Sequence, residues 1–168
     1  MESPQAKPTR VLMVCLGNIC RSPAAEEMLR QIASERGMAH AVAVDSAGTG
    51  GYHIGLLPDQ RMCLHARRRG MELTHRCRQV DVEDFLDFDM IIGMDASNVA
   101  NLRRLAPSVE AARKVHAMAE FFSPSSSHDH VPDPYYEGAE GFELVLDLLS
   151  DACQNLFNCI INQTNGQR

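Results

Sequence analysis

Residues 11 to 23 run from the apolar tetrad Val11-Leu12-Met13-Val14 through Cys15-Leu16-Gly17-Asn18-Ile19-Cys20-Arg21 into Ser22-Pro23. An unbroken apolar run this short reads as a strand covered on both faces, because a strand with one wet face would alternate. Gly17 permits a tight turn, and Ser22 and Pro23 predict a helix start, with serine at the cap and proline at the first helical position. A doubly covered strand that feeds directly into a helix commits the chain to parallel pairing with helices on both sides. The expected architecture is α/β: a single three-layer domain with a central four-stranded parallel sheet flanked by helices.

The remaining segments fit that frame. Ala25, Met28, Leu29 and Ile32 lie on one face of the first helix, and Gly37 offers its stop. Further strands are expected at 41–44, 89–93 and 115–118, with helices over 59–69, 82–86 and 97–105. Phe142, Val145, Leu146, Leu149, Cys153, Leu156, Phe157 and Ile160 trace an apolar stripe along a long final helix that should cover the sheet. A length of 168 residues suits one core. The expected division is a flexible N-terminal segment at 1–9, one domain over 10–162 and a tail at 163–168.

The loop itself carries chemistry. Backbone N–H groups in a turn between strand and helix converge on an anion. A thiol at a helix N-terminus beside a guanidinium can fall from about 8.5 into the range of roughly 3.5–7.5, so Cys15 is expected to be a thiolate. Arg21 offers a planar fork that grips two phosphoryl oxygens at once, which lysine cannot do. Leu16, Gly17, Asn18, Ile19, Cys20 and Ser22 complete the expected phosphate-binding loop.

Composition narrows the partners. No run of about 18 apolar residues occurs, and Met1-Glu2-Ser3-Pro4-Gln5 has no apolar signal core, so no membrane association and a cytoplasmic location are expected. The six cysteines are then expected to stay reduced. A net charge of -6 argues against nucleic-acid binding despite the arginines at 67–69 and at 76 and 78. The run at 67–69 reads as the solvated end of a helix. His128 and His130 lack a third ligand, so neither a metal nor any other cofactor is expected. Gly48-Thr49-Gly50-Gly51 lacks full nucleotide-loop spacing and reads as a substrate-facing loop. Cys153 and Cys159 are assigned to packing.

The chain resembles the low-molecular-weight protein tyrosine phosphatases. Cys15 and Arg21-Ser22-Pro23 match that family's C-x5-R-S-P signature, and Asp133-Pro134-Tyr135-Tyr136 matches its acid motif. Asp45-Ser46-Ala47-Gly48-Thr49, Tyr52-His53-Ile54-Gly55, His75-Arg76-Cys77-Arg78-Gln79 and Met94-Asp95-Ala96-Ser97-Asn98 resemble family segments in the family's order. The resemblance implies a Cys15 nucleophile, an Arg21 clamp and an Asp133 general acid and base. It implies a supporting network of Asn18, Ser22, Ser46 and His75, with Asn18 in a left-handed conformation that asparagine tolerates. Asp95 matches a structural position outside the catalytic set.

Tyr52, Tyr135 and Tyr136 resemble the aromatic walls of the family's cleft, with Ile54, Leu56 and Leu57 at its rim. The implied substrates are phosphotyrosine-containing proteins, with inorganic phosphate as product and a monomer as the working form. Cys20 is expected to act as a redox partner that forms a protective disulfide with Cys15. Three other functions share the loop. A protein arginine phosphatase commonly has threonine where Ile19 stands, and an arsenate reductase needs resolving cysteines that the Met94 to Asn98 segment lacks. A noncatalytic phosphotyrosine-binding module would bind without turnover.

Overall fold

A computed structural model describes residues 7–166, and side chains through 163. The expected tail at 163–168 falls partly outside these residues, as does most of the N-terminal segment. Four strands form the sheet: β1 (Thr9–Cys15), β2 (Val42–Gly48), β3 (Met90–Gly93) and β4 (Val115–Ala117). Their order is β2-β1-β3-β4, and every pair is parallel. The helices are α1 (Arg21–Glu35), α2 (Gln60–Arg67), α3 (Asp84–Asp87), α4 (Ala96–Leu105), α5 (Val109–Ala112) and α6 (Ala139–Gly166).

β1 shows why an unbroken apolar run was needed. Successive side chains point to opposite faces, so Val11 and Met13 enter one core while Leu12 and Val14 enter another. The first core takes Ala25, Leu29 and Ile32 from α1 and Phe142, Leu146, Leu149 and Leu156 from α6. The second takes Phe85 from α3, Val99 and Leu102 from α4 and Ala111 from α5. The three-layer α/β architecture expected from the sequence is therefore present. α6 is long and apolar enough to cross a membrane by length and composition alone, with mean hydropathy 1.3. Its apolar residues instead form a stripe, and Phe142, Val145, Leu149 and Phe157 on that stripe are buried against the sheet and α1.

Several boundaries differ from the expected ones. β2 continues to Gly48 instead of stopping at Val44, because β1 supplies partners as far as the pair Cys15 and Gly48. α6 runs to Gly166, past the domain boundary expected at 162. α1 ends where Gly37 adopts φ 67, a left-handed conformation that suits glycine.

The start of α1 departs most from expectation. The helix begins at Arg21, Cys20 occupies the cap position without a side-chain cap bond, and Ser22 lies inside the first turn. Ser22 is turned away from capping because its hydroxyl bonds to the loop interior. The arginine run at 67–69 is also more than a solvated end. Arg69 reaches Glu143 and Asp147 on α6, while Arg67 pairs with Glu72.

Candidate active site

In an open parallel sheet, the crevice lies at the carboxyl ends of the strands where the chain reverses its winding direction. Here that point is between β1 and its neighbour β3, and the loop from Leu16 to Cys20 fills it. Among the described residues, the amide N–H groups of Gly17, Asn18, Ile19 and Cys20 have no intramolecular acceptor. They are available to an anion seated over the N-terminus of α1.

Asn18 organises the loop from inside. It is fully buried and has φ 58. Its amide donates to Ser22 Oγ at 2.8 Å and Ser46 Oγ at 3.0 Å, and Oδ1 accepts from the Arg78 amide at 2.9 Å. His75 Nε2 lies 2.8 Å from the same oxygen, and its Nδ1 lies 3.2 Å from Glu26 Oε1. Ser46 donates to Glu26 at 2.7 Å. Ser22 Oγ is 3.0 Å from Cys15 Sγ. A continuous hydrogen-bonded network thus holds the strained residue and places a hydroxyl against the cysteine. The four residues named for this network are brought together.

Arg21 is 3% exposed although it carries a charge. Nη1 donates to Asp95 Oδ2 at 2.7 Å and to the Val131 carbonyl at 3.0 Å, while Nη2 stands 3.8 Å from Asp133 Oδ2. Burial works against the guanidinium charge, but Cys15, Asp95 and Asp133 outweigh it and raise the pKa above its ordinary value. Asp95 meets Arg21 directly while its other oxygen caps α4 by accepting from the Asn98 amide at 2.8 Å.

A cleft of about 330 Å³ opens above the loop, lined by Cys15, Arg21, Asp133, Tyr52, Tyr135 and Tyr136 among others. Asp133 is half exposed, and its Oδ1 accepts from the Tyr135 amide at 3.0 Å. Arg61 lies over the Tyr135 ring at 5.4 Å and over Phe142 at 4.9 Å, fixing that wall to α6. Tyr136 meets Tyr135 edge-on, with ring centroids 5.0 Å apart, and is 93% exposed. Ile54, Leu56 and Leu57 are exposed but do not line the cleft, contrary to the expected rim. Their segment is tied instead to the stretch around Cys77, whose carbonyl accepts from the Gly55 amide and whose amide donates to the Leu56 carbonyl.

Cys20 is buried at the base of the cleft, and burial followed by Asp59 pushes its thiol well above the ordinary range. All six cysteines are free thiols.

Sequence reasoning assigned no role to Glu26, His53 or Cys77. Glu26 follows Ser22 by four residues, so it shares that helix face, and a carboxylate among buried alanines was its signal. Cys77 follows His75 by two along an extended segment, which points both at Asn18. Its Sγ lies 2.8 Å from the Asn18 carbonyl. Burial, then Cys15, pushes the Cys77 thiol up to about 11, so it stays a donor. His53 lines the cleft beside Tyr52. Glu26, Asp45 and His75 place ligand atoms within 4.8 Å of one another and could hold a cation. Hydrogen bonds to Ser46 and Asn18 already use this group to support the loop.

The low molecular weight phosphotyrosine protein phosphatase family matches the chain over residues 10–166. A Schizosaccharomyces pombe protein named low molecular weight phosphotyrosine protein phosphatase is 41% identical over 155 residues, covering 92% of this chain and 98% of that protein. The crystal structure of a protein tyrosine phosphatase from Entamoeba histolytica with Hepes in the active site superimposes with a TM-score of 0.87 at 39% identity, covering 95% of this chain and 99% of that one. The crystal structure of a Drosophila arginine phosphatase gives a TM-score of 0.82 at 30% identity, covering 88% and 95% respectively. With the family matched across nearly its whole length, the chain belongs to the low molecular weight phosphotyrosine protein phosphatases.

Proposed function

We propose that the protein hydrolyses phosphotyrosine in proteins, and small aryl phosphates, through a phosphocysteine intermediate. The observation that carries this reading is the convergence of the Cys15 thiol, the Arg21 guanidinium and the Asp133 carboxyl group on one cleft over a loop with free amides. Cys15 attacks phosphorus as a thiolate, and the S–P bond forms as the bond to the tyrosine oxygen breaks. The loop amides and Arg21 take the charge on the equatorial oxygens. The departing oxygen receives its proton from Asp133, since a phenol has a pKa near ~10 and leaves poorly as phenolate. Asp133, now a carboxylate, then takes a proton from water. The water oxygen attacks phosphorus, the S–P bond breaks and inorganic phosphate is released.

Tyr52 and Tyr135 supply flat apolar walls suited to a phenyl ring, which favours phosphotyrosine over the shorter phosphoserine. A second reading, arginine phosphatase, is favoured by the likeness to the Drosophila enzyme. Ile19 opposes it, an apolar side chain on the cleft wall where arginine phosphatases commonly have threonine. Initial rates on matched phosphotyrosine and phosphoarginine peptides, with wild type and Cys15→Ser under reducing conditions, separate the two. Cys15-dependent release from phosphotyrosine supports the first reading. Preference for phosphoarginine reverses it, and release from neither overturns both.

A further inference from the structure

A second groove, of about 430 Å³, lies beside the catalytic cleft and shares Leu16 and Tyr52 with it. The Tyr52 ring lies so close over Gly50 that a Cβ there would stand 2.4 Å from Cε2. Glycine therefore lets the ring lie down as a low ridge between the two depressions. Beyond the ridge, Leu16 and Leu105 are each 44% exposed and give the groove apolar sides.

The polar groups in this groove have no other employment. Arg104, in the last turn of α4, makes no side-chain hydrogen bond or ion pair among the described residues. The Asn101 amide, one turn earlier on the same helix, likewise has no side-chain partner there. Most other arginines near the site are committed: Arg21, Arg61, Arg69 and Arg78 all pair with carboxylates. An unpaired guanidinium on a chain of net charge -6 is a local attraction for an anionic side chain.

We infer that this groove binds the segment of a phosphoprotein substrate adjoining the phosphotyrosine, and that Arg104 selects an acidic residue there. The inference rests on the phosphotyrosine reading above. An extended chain advances about 3.3–3.6 Å per residue, so a residue two or three places from the phosphotyrosine crosses the Tyr52 ridge. Its carboxylate meets Arg104, its backbone has the Asn101 amide to bond, and its aliphatic stem lies against Leu16 and Leu105. The groove thus supplies sequence preference that the cleft over Cys15 cannot.

The test uses phosphotyrosine peptides identical except for Glu or Lys at two or three residues before or after the phosphotyrosine. Rates are taken at low ionic strength, each divided by the same protein's rate on p-nitrophenyl phosphate. Wild type is expected to prefer Glu on one side by about threefold to fivefold in kcat/KM, as for a partly exposed ion pair. Arg104→Ala should abolish the preference and Arg104→Glu should invert it. A wild type indifferent to the substitution, or a preference that survives Arg104→Glu, overturns the inference. If p-nitrophenyl phosphate is not hydrolysed, the catalytic reading has failed separately. Fluorescence anisotropy of the same peptides with Cys15→Ser then decides the groove by affinity, with the same ratios expected.

Discussion

Asp95 carries two separable tasks, and replacing it in two ways should distinguish them. One oxygen accepts from Arg21 Nη1 at 2.7 Å, and the other accepts from the Asn98 amide and caps α4. Asparagine is as good a cap as aspartate, so Asp95→Asn retains the cap while presenting an uncharged amide to Arg21. Asp95→Ala removes both bonds. A hydrogen bond between charged groups is worth about 1.5–3 kcal/mol. The lower end applies here, because Asp95 is 25% exposed and Arg21 keeps the Val131 carbonyl. The expected loss of stability is therefore about 1.5 kcal/mol for Asp95→Asn, and about 1 kcal/mol more for Asp95→Ala from the lost cap.

Catalysis should suffer in proportion to how far Arg21 moves. Asp133 stands 3.8 Å from Nη2, so a guanidinium released from Asp95 is drawn toward the acid and away from the phosphoryl oxygens. A displacement of about 1 Å costs up to roughly 10²-fold, so both variants should lose about 10–100-fold in kcat/KM on p-nitrophenyl phosphate. Urea unfolding and steady-state kinetics on the same preparations give both quantities. Wild-type kinetics in Asp95→Asn would refute the claim that Asp95 positions Arg21. Equal stability losses in the two variants would refute the division into cap and clamp.

Asp133→Ala should lose about 10²–10⁴-fold in turnover while inorganic phosphate still inhibits, measured by kcat and by the inhibition constant. Peroxide should inactivate wild type reversibly by joining Cys15 and Cys20, and Cys20→Ser should lose recovery on thiol addition; undiminished recovery rejects Cys20 as the partner. Cys77→Ala should lower kcat more than it changes KM because the Asn18 carbonyl loses its donor, and Cys77→Ser should restore most of the loss; equal behaviour of the two rejects that bond. The Glu143 carboxyl is held below its ordinary 4.5 by the His65 hydrogen bond and by Arg69, so its stabilising effect is complete above that value and fades as pH falls through the lowered one. Thermal melts of Glu143→Gln should accordingly show a shallower acid decline than wild type.

The sequence was most legible where one local rule decides the outcome. The tetrad from Val11 to Val14 announced a central strand because only a strand buried on both faces tolerates no polar alternation. The stripe from Phe142 to Ile160 announced a core helix for the analogous reason. From sequence β2 reads short because Asp45 and Ser46 are polar, yet both lie in a strand whose ladder to β1 sets its length. Ser22 reads as a cap because serine before proline obeys a local statistic, whereas buried Asn18 and Cys15 claim its hydroxyl. Glu26 and Cys77 share a face with Ser22 and His75, but that spacing acquires meaning only once their distant partners Ser46 and Asn18 are in place. That placement depends on how α1, β2 and the extended segment around 75–79 converge, and His53 enters the cleft only through the loop that follows β2.

The uncapped start of α1 links the ligand to the fold. Ser22 faces inward and Cys20 offers no side-chain bond, so among the described residues no side chain caps the first turn of that helix. An anion bound there would supply that cap and become a removable part of the folded structure. Mass action then makes resistance to unfolding a readout of occupancy: an anion at a hundred times its dissociation constant adds about 2.7 kcal/mol. By this coupling the product of the proposed reaction should protect the molecule that releases it, and a melting curve recorded in phosphate buffer should report a sturdier protein than one recorded without it.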